Sequence, residues 1–405
     1  MSPVKMFNTL NSHPSASVML AHLILASGGF AIGTGEFATM SFLPAITHEL
    51  GGDAPSGGHV VSAYALGVVL GAPLLAVLGA RVERRLLLML LSGWFAVGNL
   101  LSALAPTLQS LIALRFVTGM THGAYFGAAI LVAVSIAGEQ RQSSAVARIL
   151  MGLALATTLG VPLTNLLTQW AGWRMGYAVI GLFSVLVMVS LRCLLPLQPV
   201  SVNGSLRQEL GALRRPQVWL SVGIGAIGFG GLFAIYSYLA STLQTIKQVS
   251  DITTVLIFCL FGAGITFGNM VASKLVRRGI MPAAGLILLW SALSTLFYSF
   301  SVHNIGLIAL AVFAVGCGGG LGTILQMRLI AVAGDAQNLA ASLNHVAFNM
   351  ANALGPWLAG LAIASGLGWA SAGWTGFALA LGGLIIWSIA VLLPEQSEEP
   401  PVSPK

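Results

Sequence analysis

The sequence Gly28-Gly29-Phe30-Ala31-Ile32-Gly33-Thr34-Gly35-Glu36-Phe37 forms the centre of the first long apolar segment, residues 18–46. A segment of this length can cross the roughly 30 Å of hydrocarbon in a bilayer, yet it contains the carboxylate of Glu36. A charged side chain at that depth costs roughly 2.5–3.5 kcal/mol on insertion scales. Gly29 and Gly33 lie on about the same helix face and leave room for a neighbouring helix. The sequence therefore predicts that this acid has a function.

The composition identifies an integral membrane protein. The 405-residue chain is 57% hydrophobic and only 7% charged, whereas about 25% of a soluble protein is charged. Continuous apolar runs indicate helices, because the strands of a membrane barrel alternate polar and apolar residues. The net charge of +7 does not indicate nucleic-acid binding, because the basic residues form short clusters between apolar segments. The first apolar run is too long for a signal peptide and is interpreted as a spanning helix.

Twelve membrane-spanning helices are predicted, with approximate limits at 18–46, 56–80, 86–105, 110–136, 143–169, 174–196, 218–241, 252–275, 282–301, 304–328, 340–365 and 371–393. The longest polar interruption separates the first six spans from the last six. The predicted fold class is an all-α integral membrane protein of two six-helix halves. The predicted units are a cytoplasmic N-terminal tail, the first half, a cytoplasmic linker loop, the second half and a cytoplasmic tail, at 1–17, 18–196, 197–217, 218–393 and 394–405.

Basic residues set the predicted orientation. Alternate loops carry most of them: Arg81, Arg84, Arg85, Arg141, Arg148, Arg207, Arg214, Arg215, Lys274, Arg277, Arg278 and Arg328. The opposite loops carry little beyond Arg174 and Lys247. Because basic loops stay in the cytoplasm, both termini are predicted to be cytoplasmic.

The two halves repeat several features in the same order. Basic clusters follow span 2, at Arg81 to Arg85, and span 8, at Lys274 to Arg278. Span 5 carries Gly160-Val161-Pro162 and span 11 carries Gly355-Pro356, and both pairs are expected to bend their helices. Two parallel six-helix halves with a site between them at the midplane are typical of transporters.

Few charged residues lie deep enough to carry chemistry inside the membrane. Glu36 is the acid that lies well inside a span, and Arg115 in span 4 is the clearest base. Their depths are compatible, so an ion pair is geometrically possible. Arg115, Gly119, His122 and Phe126 share one helix face. Glu36, Arg115 and His122 are the predicted proton-coupling residues. The alternatives are a static ion pair that pins helices together and a histidine that only packs.

A second group of residues is predicted to line a substrate cavity: Tyr64, Tyr125, Tyr236, His345, Asn349 and Asn352. The last three share one face of span 11 at positions i, i+4 and i+7. The alternative interpretation is that these asparagines and tyrosines join helices through hydrogen bonds worth about 0.6 kcal/mol each.

No catalytic, cofactor or metal site is predicted, and the chain is predicted not to be an enzyme. None of the four lysines follows a glycine, so the Gly-Lys of a Walker A loop is absent. Cys193, Cys259 and Cys317 lie in or beside apolar runs, which favours membrane packing over a disulfide or metal framework.

Several motifs together resemble one known family. They are residues 33–37 with Pro44, 58–67, 71–73, 115–119, 122–127, 160–162, 172–174, 326–328 and 347–349. The chain resembles the major facilitator superfamily, in its twelve-helix drug:H+ antiporter group and arabinose/sugar-efflux (AraJ-like) branch, over nearly its whole length. The resemblance implies the major facilitator fold and a role in proton transfer for Arg115 and Gly119. It also implies that the loop with Arg81, Glu83, Arg84 and Arg85 latches one conformation, although Ala80 stands at the family's aspartate position.

These features predict a monomeric inner-membrane secondary transporter that exports a small organic molecule, such as a sugar or a drug, in exchange for protons. Its predicted partners are the substrate, protons and the lipid bilayer, with no nucleic acid. One alternative is a proton-independent facilitator. A non-transporting membrane sensor is the less favoured alternative, because it needs a larger soluble domain than the longest loop, 197–217, provides.

Overall fold

The computed structural model describes residues 14–79, 82–137, 142–197, 214–245, 249–333 and 337–393. The described chain is helical throughout its long elements, and the prediction of twelve spans is confirmed. The helices long and apolar enough to cross a membrane are Val18–Ser41, Ser56–Leu75, Arg84–Ala103, Leu108–Ala137, Arg148–Ala171, Trp173–Leu194, Pro216–Thr245, Asp251–Arg278, Ile280–Ser301, Ile305–Ala333, Leu343–Leu367 and Ser371–Leu392. We refer to them as spans 1 to 12.

Eight spans each contain one uninterrupted α-helix: Pro14–Ser41, Ala54–Gly79, Arg84–Ala103, Leu108–Ala137, Trp173–Leu194, Asp251–Leu275, Ile280–Ser301 and Ser371–Leu392. The others are interrupted. Span 5 comprises Gln142–Leu155, a π-helical turn at Ala156–Gly160, and Val161–Ala171. Span 7 comprises Pro216–Gly228 and Gly230–Thr245, and span 10 comprises Ile305–Cys317 and Gly320–Ala333. Span 11 is the helix Gln337–Ala362 followed by a π-helical turn at Ile363–Leu367.

Span 1 is shorter than predicted. Its helix, Pro14–Ser41, ends before a separate short helix, Leu43–Leu50, which we call the connecting helix. Phe42 between them has φ −113° and ψ 15°. Pro44 stands in the first turn of the connecting helix, where its missing N–H leaves no hydrogen bond unmade. The predicted single segment 18–46 is therefore two helices.

The two halves repeat the packing of their helices closely. In the first half, a Cβ on Gly67 would collide with the backbone of Phe116, and one on Gly119 would collide with the backbone of Tyr64. Spans 8 and 10 show the same reciprocal contact, Gly264 against Phe313 and Gly316 against Phe261. Each of these second-half residues follows its counterpart by the same number of positions. Small residues allow this close approach of two backbones.

Lipid-facing tryptophans repeat as well. The indole of Trp94 donates to the carbonyl of Val117 at 3.1 Å, and that of Trp290 donates to the carbonyl of Ala314 at 2.8 Å. Each bond joins the third helix of a half to the fourth. The same six-helix unit therefore occurs twice, as the repeated sequence features predicted.

The halves meet along spans 1, 2 and 5 on one side and spans 7, 8 and 11 on the other. Ser62 of span 2 donates to the carbonyl of Ala353 in span 11 at 2.8 Å. Phe37 of span 1 stacks with Phe233 of span 7, with ring centroids 6.4 Å apart. A Cβ on Gly262 of span 8 would lie 3.1 Å from the backbone of Thr157 in span 5. This interface positions the candidate site.

Candidate functional site

Glu36 lies at the interface between the halves and is 2% exposed. One carboxylate oxygen, Oε1, accepts a hydrogen bond from Nδ2 of Asn352 in span 11, at 2.8 Å. The other, Oε2, lies 3.6 Å from Nδ1 of His122 in span 4. That distance is too long for a hydrogen bond, and Oε2 accepts none from the described part of the chain. The acid therefore contacts both halves while retaining one unsatisfied oxygen.

The ion pair between Glu36 and Arg115 is not formed in the structure. Arg115 instead donates through Nη2 to the carbonyl of Gly35, at 2.9 Å. Its guanidinium carbon lies 4.2 Å from the ring centroid of Tyr64 and 5.4 Å from that of Tyr177. Arg115 is 1% exposed, so its charge acts on the neighbouring carboxylate through a medium of low dielectric constant.

His122 lies between Glu36 and a group of aromatic and imidazole rings. Its Nδ1 lies 3.2 Å from the hydroxyl of Tyr64. Its ring centroid lies 5.2 Å from that of Phe126 and 6.2 Å from that of His345 in span 11. Phe126 also stacks with His345, at 5.4 Å. The span 4 face predicted from the sequence therefore meets span 11 as well as span 1.

The structure brings together some of the predicted cavity residues and separates others. Tyr64, His345 and Asn352 belong to the cluster around Glu36. Asn349 donates to the carbonyl of His345 in its own helix, at 3.0 Å. Tyr125 lies elsewhere in span 4, since its hydroxyl donates to the carbonyl of Leu25 at 3.0 Å. Its place is therefore between spans 1 and 4.

Tyr236 belongs to an aromatic cluster that sequence reasoning missed. Its ring stacks on Phe261 with centroids 4.2 Å apart, and it meets Phe37 edge-to-face at 6.2 Å. Phe37 also contacts Phe348 at 6.4 Å, in addition to its stacking with Phe233. These rings come from both halves, and Phe37 directly follows Glu36 in the sequence. The duplication is the signal that could have revealed this cluster. Phe233 stands in the second half at the position that Glu36 has in the first, so an aromatic ring is expected to face the site there.

The predicted conformational motifs have local roles in this structure, except Arg81, which lies outside the described residues. Glu83 is the N-cap residue of the span 3 helix, and its carboxylate accepts hydrogen bonds from the backbone N–H groups of Arg85 and Leu86. The side chain of Arg85 donates to the carbonyl of Leu195 at 3.1 Å. Arg84 is the first residue of that helix.

The Gly-Pro pairs differ between the halves. Gly160 ends the π-helical turn of span 5, and Pro162 stands in the first turn of the α-helix that follows. Gly355 packs against the backbone of Gly230 in span 7. Pro356 lies inside a continuous helix, and its carbonyl accepts from Tyr238 at 2.9 Å. The break in span 11 comes later, at Gly366, where φ is 87°.

At the end of the bundle that carries the connecting helix, Asp53 lies outside the spans. Its carboxylate accepts hydrogen bonds from the backbone N–H and the hydroxyl of Ser56. These bonds hold the pKa of Asp53 below its ordinary value. Within the described ranges, no group of three or more His, Cys, Asp or Glu side chains is placed to hold a metal.

Twelve spans in two repeated halves, with a buried charged cluster where the halves meet, define a membrane transporter architecture. The chain belongs to the Major Facilitator Superfamily, whose profile matches residues 25–333. It is therefore a multi-pass membrane transporter with a small-molecule substrate, and not an enzyme.

The chain is similar to several transporters. It is 36% identical to the inner membrane transport protein YdhP of Escherichia coli strain K12, over 86% of this chain and 90% of YdhP. It is 32% identical to AraJ of the same strain, over 85% of this chain and 88% of AraJ. Two relatives at 29% identity are a chloramphenicol resistance protein of Streptomyces lividans and a "Probable sugar efflux transporter" of Helicobacter pylori. They cover 83% and 88% of this chain, and 87% and 92% of their own lengths.

The fold is similar to that of the nucleoside transporter NupG, in the crystal structure of a point mutant of that protein. The TM-score is 0.72, with 13% sequence identity over 93% of this chain and 99% of NupG. This likeness shows the major facilitator fold.

Proposed function

We propose that this protein is a proton-coupled antiporter that exports a small organic molecule, such as a sugar or a drug, across the inner membrane. The observation that carries the proposal is the position of Glu36, a buried acid that contacts both halves of the molecule. Ionisable side chains at membrane depth are costly and typically functional. Glu36 is the proton site in this proposal, while Arg115 and His122 set its electrostatic environment.

The contacts of Glu36 support coupling rather than bracing. A static ion pair would need direct contact between Glu36 and Arg115, whereas the guanidinium binds the carbonyl of Gly35. The carboxyl group of Glu36 is instead held by Asn352 and lies beside His122. These contacts depend on whether the carboxyl is protonated and on how closely span 11 approaches span 1. Rocking of residues 18–196 against residues 218–393 would change both conditions together.

The basic loops and the relatives support the direction of transport. The excess of arginine and lysine in alternate loops favours cytoplasmic termini. In that orientation the connecting helix lies on the non-cytoplasmic side of the membrane. The contacts of Ser62 with Ala353 and of Phe37 with Phe233 then close the path between the halves on that side. Relatives named for chloramphenicol resistance and sugar efflux favour export. The inter-half ring cluster around Phe37 suits an uncharged substrate with an apolar face.

Everted membrane vesicles provide the test. A pH-sensitive dye inside energised vesicles reports proton release when a substrate is added, and the panel comprises sugars, phenicols and small amphiphiles. We expect at least one compound to be accumulated uphill and to discharge the pH gradient in the wild type. Glu36→Gln should leave substrate binding and substrate exchange in place. The ratio of substrate inside to substrate outside the vesicles should fall to about one, because the glutamine side chain cannot take up or release a proton for transport.

A proton-independent facilitator is the competing function. It would equilibrate its substrate equally in the presence and absence of a protonophore, and Glu36→Gln would leave its rate unchanged. Uphill accumulation that survives Glu36→Gln unaltered contradicts the proposed role of this acid.

A further inference from the structure

The hydrogen bond between Asn352 and Glu36 joins side chains from opposite halves of the molecule. Nδ2 of Asn352 donates to Oε1 of Glu36 at 2.8 Å, and Asn352 is fully buried. Two neighbouring contacts also connect span 11 to the first half: Ser62 with Ala353, and His345 with Phe126. The bond to Glu36 is the member of this group that includes a titratable acid.

The remaining oxygens of this pair are unsatisfied. Oε2 of Glu36 and Oδ1 of Asn352 are both buried, and neither accepts a hydrogen bond from the described residues. A carboxylate oxygen and an amide oxygen can only accept, so they cannot bond to each other. One proton on the carboxyl group makes Oε2 a donor to Oδ1 and satisfies both atoms. The terminal torsions of Glu and Asn are broad, so the two planar groups can align as a pair with two hydrogen bonds.

The other polar groups facing Glu36 do not satisfy Oε2 directly. His122 of span 4 lies 3.6 Å away and is within hydrogen-bonding distance of Tyr64 of span 2 instead. Arg115 of span 4 donates to the carbonyl of Gly35. His345 of span 11 faces His122, with 6.2 Å between ring centroids. None of these groups bonds to Oε2 in this arrangement, whereas a proton on the carboxyl would complete its hydrogen bonding to Asn352.

We infer that Asn352 is a positioning residue for the transported proton: it binds the protonated carboxyl of Glu36 through a two-bond acid–amide pair and so favours closure of the two halves. This inference rests on the proposed proton coupling. The proton arrives from the aqueous side to which the site is open, and it leaves on the other side when the halves separate again. An empty transporter that carries a proton can then close, which is the return step of an exchange cycle.

Pulsed EPR on the purified full-length protein tests this inference without a transport substrate. The three native cysteines are replaced, and nitroxides are attached at Leu104→Cys and Ile252→Cys, exposed positions in opposite halves. In the wild type we expect the closed distance population to grow as the pH falls from 9 to 5. Asn352→Leu should lower the closed-to-open ratio at acidic pH by about tenfold, the effect of one to two net hydrogen bonds.

Two further variants separate this pair from general packing. Glu36→Gln should stay closed across the whole pH range, because its amide makes the same two bonds with Asn352. Ser62→Ala removes a non-titratable bond across the same interface, so it should lower closure equally at every pH. The inference is overturned if Asn352→Leu keeps the pH response of the wild type. Loss of that response in His122→Gln alone would then assign it to the histidine.

Infrared spectroscopy tests the same proton if Asn352→Leu does not fold. The closed wild type should show a carboxylic acid C=O band that is missing from Glu36→Gln. Closed protein without that band overturns the inference.

Vesicle transport distinguishes failure of this inference from failure of the proposed function. Proton-driven export without pH-driven closure refutes only the pair, whereas pH-driven closure that needs Asn352 without proton-driven export refutes only the proposed function.

Discussion

Replacing Arg115 by lysine should destabilise the protein although the charge is kept. Arg115 makes two interactions at once: Nη2 bonds to the carbonyl of Gly35 at 2.9 Å, and the guanidinium lies 4.2 Å from the centre of the Tyr64 ring. A lysine ammonium is a compact charge and can make only one of them. A buried hydrogen bond from a charged group is worth about 1.5–3 kcal/mol, and a desolvated cation–π contact about 2 kcal/mol. Losing one of the two predicts a cost of about 2 kcal/mol.

Arg174 provides a matched control for this substitution. Its Nη2 donates to the carbonyl of Ala105 at 3.0 Å, and its guanidinium lies 4.2 Å from the centre of the Trp173 ring. These two interactions are the same in kind as those of Arg115. Arg174 also forms an ion pair with Glu49 at 3.2 Å, but the Arg174 side chain is 37% exposed and that of Glu49 is 52% exposed. Water weakens such interactions, so Arg174→Lys should cost less than about 1 kcal/mol.

The assay is equilibrium unfolding in detergent micelles, followed by tryptophan fluorescence, for the wild type and both variants. Arg115→Lys should unfold at clearly lower denaturant concentration than Arg174→Lys. The proposed proton-coupled export, normalised to folded protein, should be better retained in Arg115→Lys than in Arg115→Met, because lysine preserves the positive charge beside Glu36. Equal destabilisation by the two lysine substitutions would refute the argument that burial gives Arg115 its importance.

Two further predictions follow from the packing and from the lowered pKa of Asp53, which lies outside the spans. Gly119→Val should cost about 1–3 kcal/mol, because its side chain meets the backbone of Tyr64; Gly127→Ala in the same helix, where a Cβ meets open space, should be neutral or stabilising in the same unfolding assay. The lowered pKa of Asp53 means that its cap on span 2 is fully present above the ordinary pKa of the carboxyl group and is lost as the pH falls through the lowered pKa of the folded protein. Asp53→Asn should keep the cap and remove that loss, measured as amide-exchange protection of residues 56–60 in a pH titration from pH 6 downward; a cap lost equally in the variant would contradict this assignment.

The spans could be predicted from the sequence because each requires a long apolar run, and a bilayer tolerates little else. The break at Phe42 was missed because the run stays apolar across it, although Pro44 marks the first turn of a new helix. The duplication was inferred from basic loops and Gly-Pro pairs. A stronger signal is that aromatic and glycine residues of the first half recur in the second half at one constant offset in the sequence. The contact of Tyr64 with Gly119, for example, recurs as that of Phe261 with Gly316.

The composition of the site was predictable, and its connections were not. Depth along the helices placed Glu36 and Arg115 at the same level, but depth does not determine how far a helix is rotated about its axis. The guanidinium consequently binds the backbone one residue before Glu36. Helical periodicity put Asn352 on a polar face of span 11. Its partner, however, lies 316 positions away in the other half, a contact that neither periodicity nor depth can specify.

The repeat gives a physical reason why charge is concentrated in one half. At equivalent positions, Glu36 and Arg115 of the first half are replaced by Phe233 and Val312 in the second. The polar centre therefore faces a largely apolar wall, broken by Asn352 and His345 of span 11. In the proposed cycle, the approach of that wall removes water from Glu36, and loss of water disfavours the charged form of a carboxyl group. A second acid at Phe233 would instead keep water between the halves. In that proposed cycle, the asymmetry of the duplicated halves connects closure to proton binding through the desolvation of a single carboxyl group.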